Sequence, residues 1–203
     1  MNNCIIINNQ RIDLTEEQVS KLLASAGSRN TRLSEIPVAD TFKIGDNEFI
    51  VLDQYGDATA VILKKTLPEE TTFGENNNYD GSTPDEMCNS FAEALAVEIG
   101  EDSFIEHRVD LTSDDGLKDY GSVDRKMSLM TTEEYRRYVE ILDKHKLDAW
   151  WWLATPRSTA THNDESWVKC VSPSGLIFGN LYDIVVSGVR PFCILKSNIF
   201  VSK

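Results

Sequence analysis

Three consecutive tryptophans, Trp150, Trp151 and Trp152, constrain this chain more than any other feature. Burying one indole removes roughly 200 Å² from water, worth several kcal/mol at ~25 cal/mol/Å². Three of the four tryptophans stand in this run, so the fold is expected to be organised around it. Along a strand, successive side chains point to opposite faces. Trp150 and Trp152 then share one face and Trp151 takes the other, so at least two rings should be core.

A length of 203 residues suits one domain, or one domain with an appendage, and 41% hydrophobic residues suffice for a core. The net charge of −13 and pI near 4.6 argue against nucleic acid or an anionic membrane as the main partner. The acids read as mixed with bases. An acidic decoy for a nucleic-acid-binding site, which needs a dense block of charge, is therefore the lesser alternative. Cys4, Cys88, Cys170 and Cys193 form no C-x-x-C and read as free, mostly buried thiols of a reducing compartment. Cys170 and Cys193 both lie in strand-like runs and are the one candidate disulfide. The first residues lack a basic, long apolar leader, and no apolar stretch spans a bilayer. The expected location is cytoplasmic or virion-associated.

Ile5-Ile6-Ile7, an Asn8-Asn9 turn and Arg11 to Leu14 read as a β-ribbon. Thr15 and Gln18 form a capping box for a helix with Val19, Leu22, Leu23 and Ala26 on one face and Gly27 at its end. This appendage, residues 1–36, is too small to bury much alone. It either docks on the main domain or makes a homo-oligomer contact, and the polar stretch Ser28 to Glu35 reads as a linker. The main domain, 37–203, opens with β-rich runs from Phe42 to Leu63. Glu69 to Gly81 reads as a polar loop. Thr83-Pro84-Asp85-Glu86 reads as a second capping box, with Pro84 at the first helical position. Met87, Phe91, Leu95 and Ile99 should face inward before Gly100 stops the helix. Thr131 to Glu134 repeats the signal ahead of Tyr135, Tyr138, Val139 and Leu142. After Trp150 only short strands are predicted. Helices and strands are segregated, so the expected class is α+β.

Little in the sequence carries catalytic chemistry. His107, His145 and His162 have no histidine three or four residues away, so zinc is not signalled, and each reads as a surface histidine. Asp110 to Gly116 has the acids of a calcium loop, but its glycine is one place late and Gly121 replaces the closing glutamate. It reads as an acidic turn, with calcium the alternative. No phosphate loop, nucleophile elbow or H-E-x-x-H is present. Arg190 stands in the apolar run Val189 to Leu195. Buried there, its donors need carbonyl or carboxylate partners, so it reads as a structural clamp.

Trp151-Trp152-Leu153-Ala154-Thr155-Pro156, the turn Val171 to Gly175 and Gly188-Val189-Arg190-Pro191 together resemble a bacterial and phage domain family. Its pattern runs W-W-L-R-[ST]-P, V-N-S-D-G and G-V-R-P. This chain has Ala154 for the arginine and Pro173-Ser174 for S-D. The resemblance covers roughly residues 37 to 196. It implies a C-type-lectin-like fold of the formylglycine-generating-enzyme type: two helices on a small twisted antiparallel sheet with long loops. Variable proteins of diversity-generating retroelements share that fold. Adenine-directed mutagenesis of their AAC or AAT codons never yields Lys, Glu, Gln, Met or Trp, and none of these occurs from Cys170 through Leu195. Short buried strands avoid Lys, Glu and Gln as well. The copper-binding cysteine pair of the formylglycine-generating enzymes has no matching surroundings here, so that activity does not carry over.

These readings converge on a non-enzymatic, ligand-binding module, phage- or prophage-encoded, without cofactor or metal. Its contacts to a protein or glycan ligand are expected from the loops 155–167 and 178–187. Arg157, His162, Asp164, Asn180, Tyr182 and Asp183 would be polar contacts, and Trp167 and Phe178 anchors. The alternatives are an acidic intracellular inhibitor or regulator of a host protein and, last, a formylglycine-generating-enzyme-like enzyme.

Overall fold

A computed structural model describes residues 4–7, 10–18 and 31–203; for 4–13 it describes the backbone alone. In chain order the strands are β1 Cys4–Ile7, β2 Gln10–Asp13, β3 Thr31–Arg32, β4 Thr41–Ile44, β5 Asn47–Tyr55, β6 Ala58–Leu63 and β7 Glu70–Thr71. Helix α1, Thr83–Ile99, precedes β8 Phe104–Ile105, β9 His107–Asp110, β10 Ser122–Arg125 and β11 Met127–Ser128. Helix α2, Thr132–Leu142, precedes β12 Trp151–Pro156, β13 Trp167–Val171, β14 Ile177–Leu181, β15 Ser187–Gly188, β16 Phe192–Lys196 and β17 Phe200–Val201. The class is α+β, as expected, with the β1–β2 ribbon antiparallel. The Asn8-Asn9 turn, the Val19–Ala26 helix face and Gly27 lie outside the described residues. Thr15 and Gln18 exchange both capping-box hydrogen bonds.

Two sheets carry the fold. The larger runs β11-β16-β6-β5-β4, with β8 also on β16. The smaller runs β14-β13-β12-β15-β7, antiparallel except where β12 meets β15. Alternation along central strands feeds two cores. Phe49 and Val51 of β5 join Trp152, Ala154, Cys170 and the Cys88–Leu95 face of α1. Ile50 and Leu52 join Trp151, Leu153, Val171 and Tyr135, Tyr138 and Leu142 of α2. Burial on both faces explains why these strands read as continuous apolar runs.

The tryptophans alternate as expected. Trp152 is fully buried in the first core and Trp151 in the second, while Trp150 packs half-buried against the first. The Trp152 indole meets Phe73 edge-on and donates Nε1–H to Thr71 O at 3.0 Å. Trp151 lies under the buried Arg190, whose guanidinium centre is 5.1 Å from the ring. Arg190 donates Nε–H to Leu63 O and Nη2–H to Lys64 O. It is the expected clamp, tying the smaller sheet to β6 through carbonyls. Burial without a carboxylate lowers its pKa to about 10.

Several local expectations are corrected. The stretch from Thr31 is no linker: β3 pairs with β17, and Leu33 and Ile36 are fully buried. Glu69 to Gly81 is no solvated loop, because Phe73, Asn77 and Tyr79 are fully buried within it. The cap of α1 is Ser82, one residue earlier than expected, with its hydroxyl accepting from Asp85 N. The Asp85 carboxylate is already engaged by Arg125 and Gly81 N. His107 is no surface histidine. Its ring lies edge-on to Phe192, and its Nε2 is 2.9 Å from Ser128 Oγ. Burial lowers its pKa to about 4. Cys88, Cys170 and Cys193 are all free and buried, so Cys170 and Cys193 form no disulfide.

Candidate functional site

The segments expected to make contacts all border the smaller sheet at its β14 edge. Strand β13 holds β14 in the register Trp167↔Leu181, Cys170↔Phe178 and Val171↔Ile177. Ser172 N donates to Leu176 O and Tyr182 N to Ser166 O. This phase turns the N–H and C=O groups of Phe178 and Asn180 toward β13 and those of Ile177, Gly179 and Leu181 outward. Strand β14 ends the sheet, so its outer side faces no further strand of that sheet.

The eight expected contact residues fall into separate groups. Arg157, Asp164 and Trp167 come together: the Arg157 guanidinium centre lies 5.6 Å from the Trp167 ring, and its Nε is 3.7 Å from Asp164 Oδ2. His162 instead turns to Asp115, with Nδ1 2.9 Å from Oδ2. Phe178, 45% exposed, stacks edge-on against Trp150 at 5.4 Å. Asn180 sits opposite Val168 on the edge strand, and Asp183 is exposed. Tyr182 is no free contact. It packs against the first core, and its carbonyl accepts from Phe73 N.

Register separates the two aromatic anchors. Trp167 shares the parity of Val171 in β13, whereas Phe178 pairs with Cys170. The two rings therefore point to opposite faces of the sheet. Both faces border the β14 edge, which places Trp167 and Phe178 on either side of one open strand.

The loop after β12 is fastened rather than free. Asn77, fully buried, donates Nδ2–H to Ser158 O and Trp167 O, and accepts the Tyr120 hydroxyl at Oδ1. Its own N–H donates to Glu165 O. Ser158 and Ser113 donate hydroxyls to Asp115, and Thr159 and Thr161 donate to Asp119. These hydroxyls hold both carboxyls below the usual carboxylate range, with His162 adding to the effect on Asp115. Of the acids in the calcium-like loop, Asp115 thus docks it to Ser158 and His162, Asp114 pairs with Lys169 and Arg136, and Asp110 accepts from Thr112. Among the described residues no group of three His, Cys, Asp or Glu is placed to hold a metal ion.

Ser158, His162 and Asp115 are the residue types of a hydrolytic triad, in the wrong order. Ser158 donates to the carboxylate, not to the imidazole, so no base is aimed at its proton. Burial pushes the Cys170 thiol up to about 12 and raises Cys88 and Cys193 as well, which keeps all three thiols protonated at neutral pH.

Two features were missed in the sequence. Asn77 was hidden in a run of three asparagines. Its neighbours form local turns, Asn76 Oδ1 taking Asn78 N and Asn78 Oδ1 taking Asp80 N, while Asn77 turns inward. Exposed apolar residues were the second. Of eight large hydrophobics exposed among the described residues, Leu176, Phe178, Ile184 and Val185 lie within ten residues of chain, on and beside β14. The signal was present as apolar residues running past the end of a strand. No family model, characterised protein or solved structure matches the chain.

Proposed function

We propose that the chain is a non-enzymatic binding module of C-type-lectin-like type that takes an extended segment of a protein ligand along the open edge of β14. The carrying observation is the concentration of exposed Leu176, Phe178, Ile184 and Val185 at that edge. The outward backbone groups of Ile177 and Gly179 and the outward N–H of Leu181 suit added-strand pairing, while the Leu181 carbonyl already accepts from Ile184 N. A ligand strand there reaches Phe178 over one face and Trp167 with Arg157 over the other. Gly179, without a side chain, lets another backbone approach closely. Aliphatic exposure of this kind favours a protein ligand over a glycan. The pairing of early and late strands, β6 with β16 and β3 with β17, supports the lectin-like reading, as do two helices beside a loop-bearing second sheet. Protonated thiols support the non-enzymatic one. A virion-associated or cytoplasmic location for a phage-encoded protein belongs to the same proposal; among the described residues no helix is long and apolar enough to cross a membrane.

Peptides selected on the intact chain from a random displayed library test this reading. Gly179→Pro removes an outward N–H that no internal bond uses, so the fold should tolerate it, while peptide binding falls about tenfold or more. Phe178→Ser should weaken the same peptides while lowering the melting temperature only slightly, through the lost edge-on contact with Trp150. Selected peptides indifferent to both substitutions would overturn the edge as the site, and binders found only among glycans would overturn the protein ligand.

A further inference from the structure

The net charge of −13 is not spread along the chain. From Thr66 to Glu106 there are eleven acids and no lysine or arginine. Elsewhere the chain nearly balances, twenty-two acids against twenty bases. The mixture of acids and bases expected from the whole-chain composition is therefore corrected: one segment, centred on α1, carries almost all the excess.

The protein neutralises part of that segment itself. Arg125 takes Asp80 and Asp85, and Lys126 takes Glu101. Glu69, Glu86 and Glu93 form no ion pair with any described residue. Glu86, Ser90, Glu93 and Val97 follow helical spacing, and all four are exposed, Val97 at 87%. They form an outer ridge of α1. On one flank of this ridge lies a groove of about 390 Å³, floored by Leu67, Pro68 and Met87, with Glu69 and Glu86 on its rim. No cation lines it. Leu67 and Met87 are backed by the first core, so the floor is rigid as well as apolar.

An apolar floor between two unpaired carboxylates fits one kind of occupant. We propose that this groove docks a basic segment of a partner protein. One large apolar side chain lies on Met87 and Leu67, and flanking lysines or arginines meet Glu69 and Glu86. The surface shares no residue with the β14 edge, and it gives the acidic-regulator alternative a location. Apolar contact supplies affinity that outlasts salt, and the carboxylates supply steering and selectivity.

The intact chain titrated with a synthetic peptide of alternating lysine and leucine, and with oligolysine of equal charge, tests the proposal. The lysine–leucine peptide should bind about tenfold more tightly than oligolysine at moderate salt. Glu69→Gln with Glu86→Gln should weaken it by about tenfold. Met87→Gln should remove its advantage over oligolysine. Both glutamates are exposed and unpaired, so the double glutamine variant should melt as the parent does. Glu133→Gln with Glu140→Gln on α2 removes the same charge elsewhere and should change binding less than about twofold. Equal binding of the two peptides, equal loss in the α2 control, or no saturable binding would each overturn the docking site.

Discussion

Two loops at the β14 end of the smaller sheet were equal candidates for ligand contact, and they differ in what their side chains are already doing. Residues 157–165 are rich in polar groups, and most of these are engaged. Asn77 holds the carbonyls, Asp115 and Asp119 hold the hydroxyls and His162, and Asp164 faces Arg157. Residues 182–186 are fixed mainly through Tyr182, with Ile184 N donating to Leu181 O at 3.3 Å. Ile184 and Val185 point into solvent. A polar side chain with a partner inside the molecule has little left to offer a ligand, whereas an exposed aliphatic one gains by being covered. Polarity alone therefore does not measure how much a loop still has to offer a ligand.

Breaking the fastened loop should have the largest effect. Asn77→Ala leaves buried carbonyls and the Tyr120 hydroxyl without partners and should cost about 3 kcal/mol in urea unfolding. A cost below about 1 kcal/mol would mean that the loop is held by something else. Next comes Tyr182→Ala, expected to cost about 2 kcal/mol through lost packing. Asp183→Ala beside it should stay within about 0.5 kcal/mol, and equal effects at the two positions would return Tyr182 to the free surface. Acid should produce the smallest, local effect. The Asp115 and Asp119 carboxyls lie below their unfolded values, so their contribution is present above about pH 4 and is lost as pH falls through that range toward the folded values. Hydrogen exchange should show residues 158–162 losing protection there while 182–186 does not change. Asp115→Asn should loosen the first loop already at neutral pH, and unaltered exchange in that variant would break the contrast between the loops.

Much of the scaffold was legible. The tryptophan run dictated its own alternation between two faces, Arg190 in an apolar strand required carbonyl or charged partners, and Thr131-x-x-Glu134 capped α2 with both reciprocal bonds. Each is a rule of local geometry or of a single group's solvation. The cap of α1 was misplaced by one residue because Ser82 and Thr83 are both good caps, and only the backbone path chooses between them. The contact residues were less legible. Their residue types were right for a surface, but Tyr182 packs inward and His162 is paired with a residue forty-seven positions away.

By itself, the sequence determined the α+β class, the two-faced burial of the tryptophans and the clamp at Arg190, because each follows from period, burial cost or local hydrogen bonding. It also held the acidic block around α1, which a whole-chain charge conceals. Only the tertiary structure decided that Trp167 and Phe178, on neighbouring strands, lie on opposite faces of the smaller sheet, that Asn77 fastens a distant loop, and that two unpaired glutamates flank an apolar groove. Those depend on register and on contacts between residues far apart in the chain, and a one-residue shift in register would reverse every face.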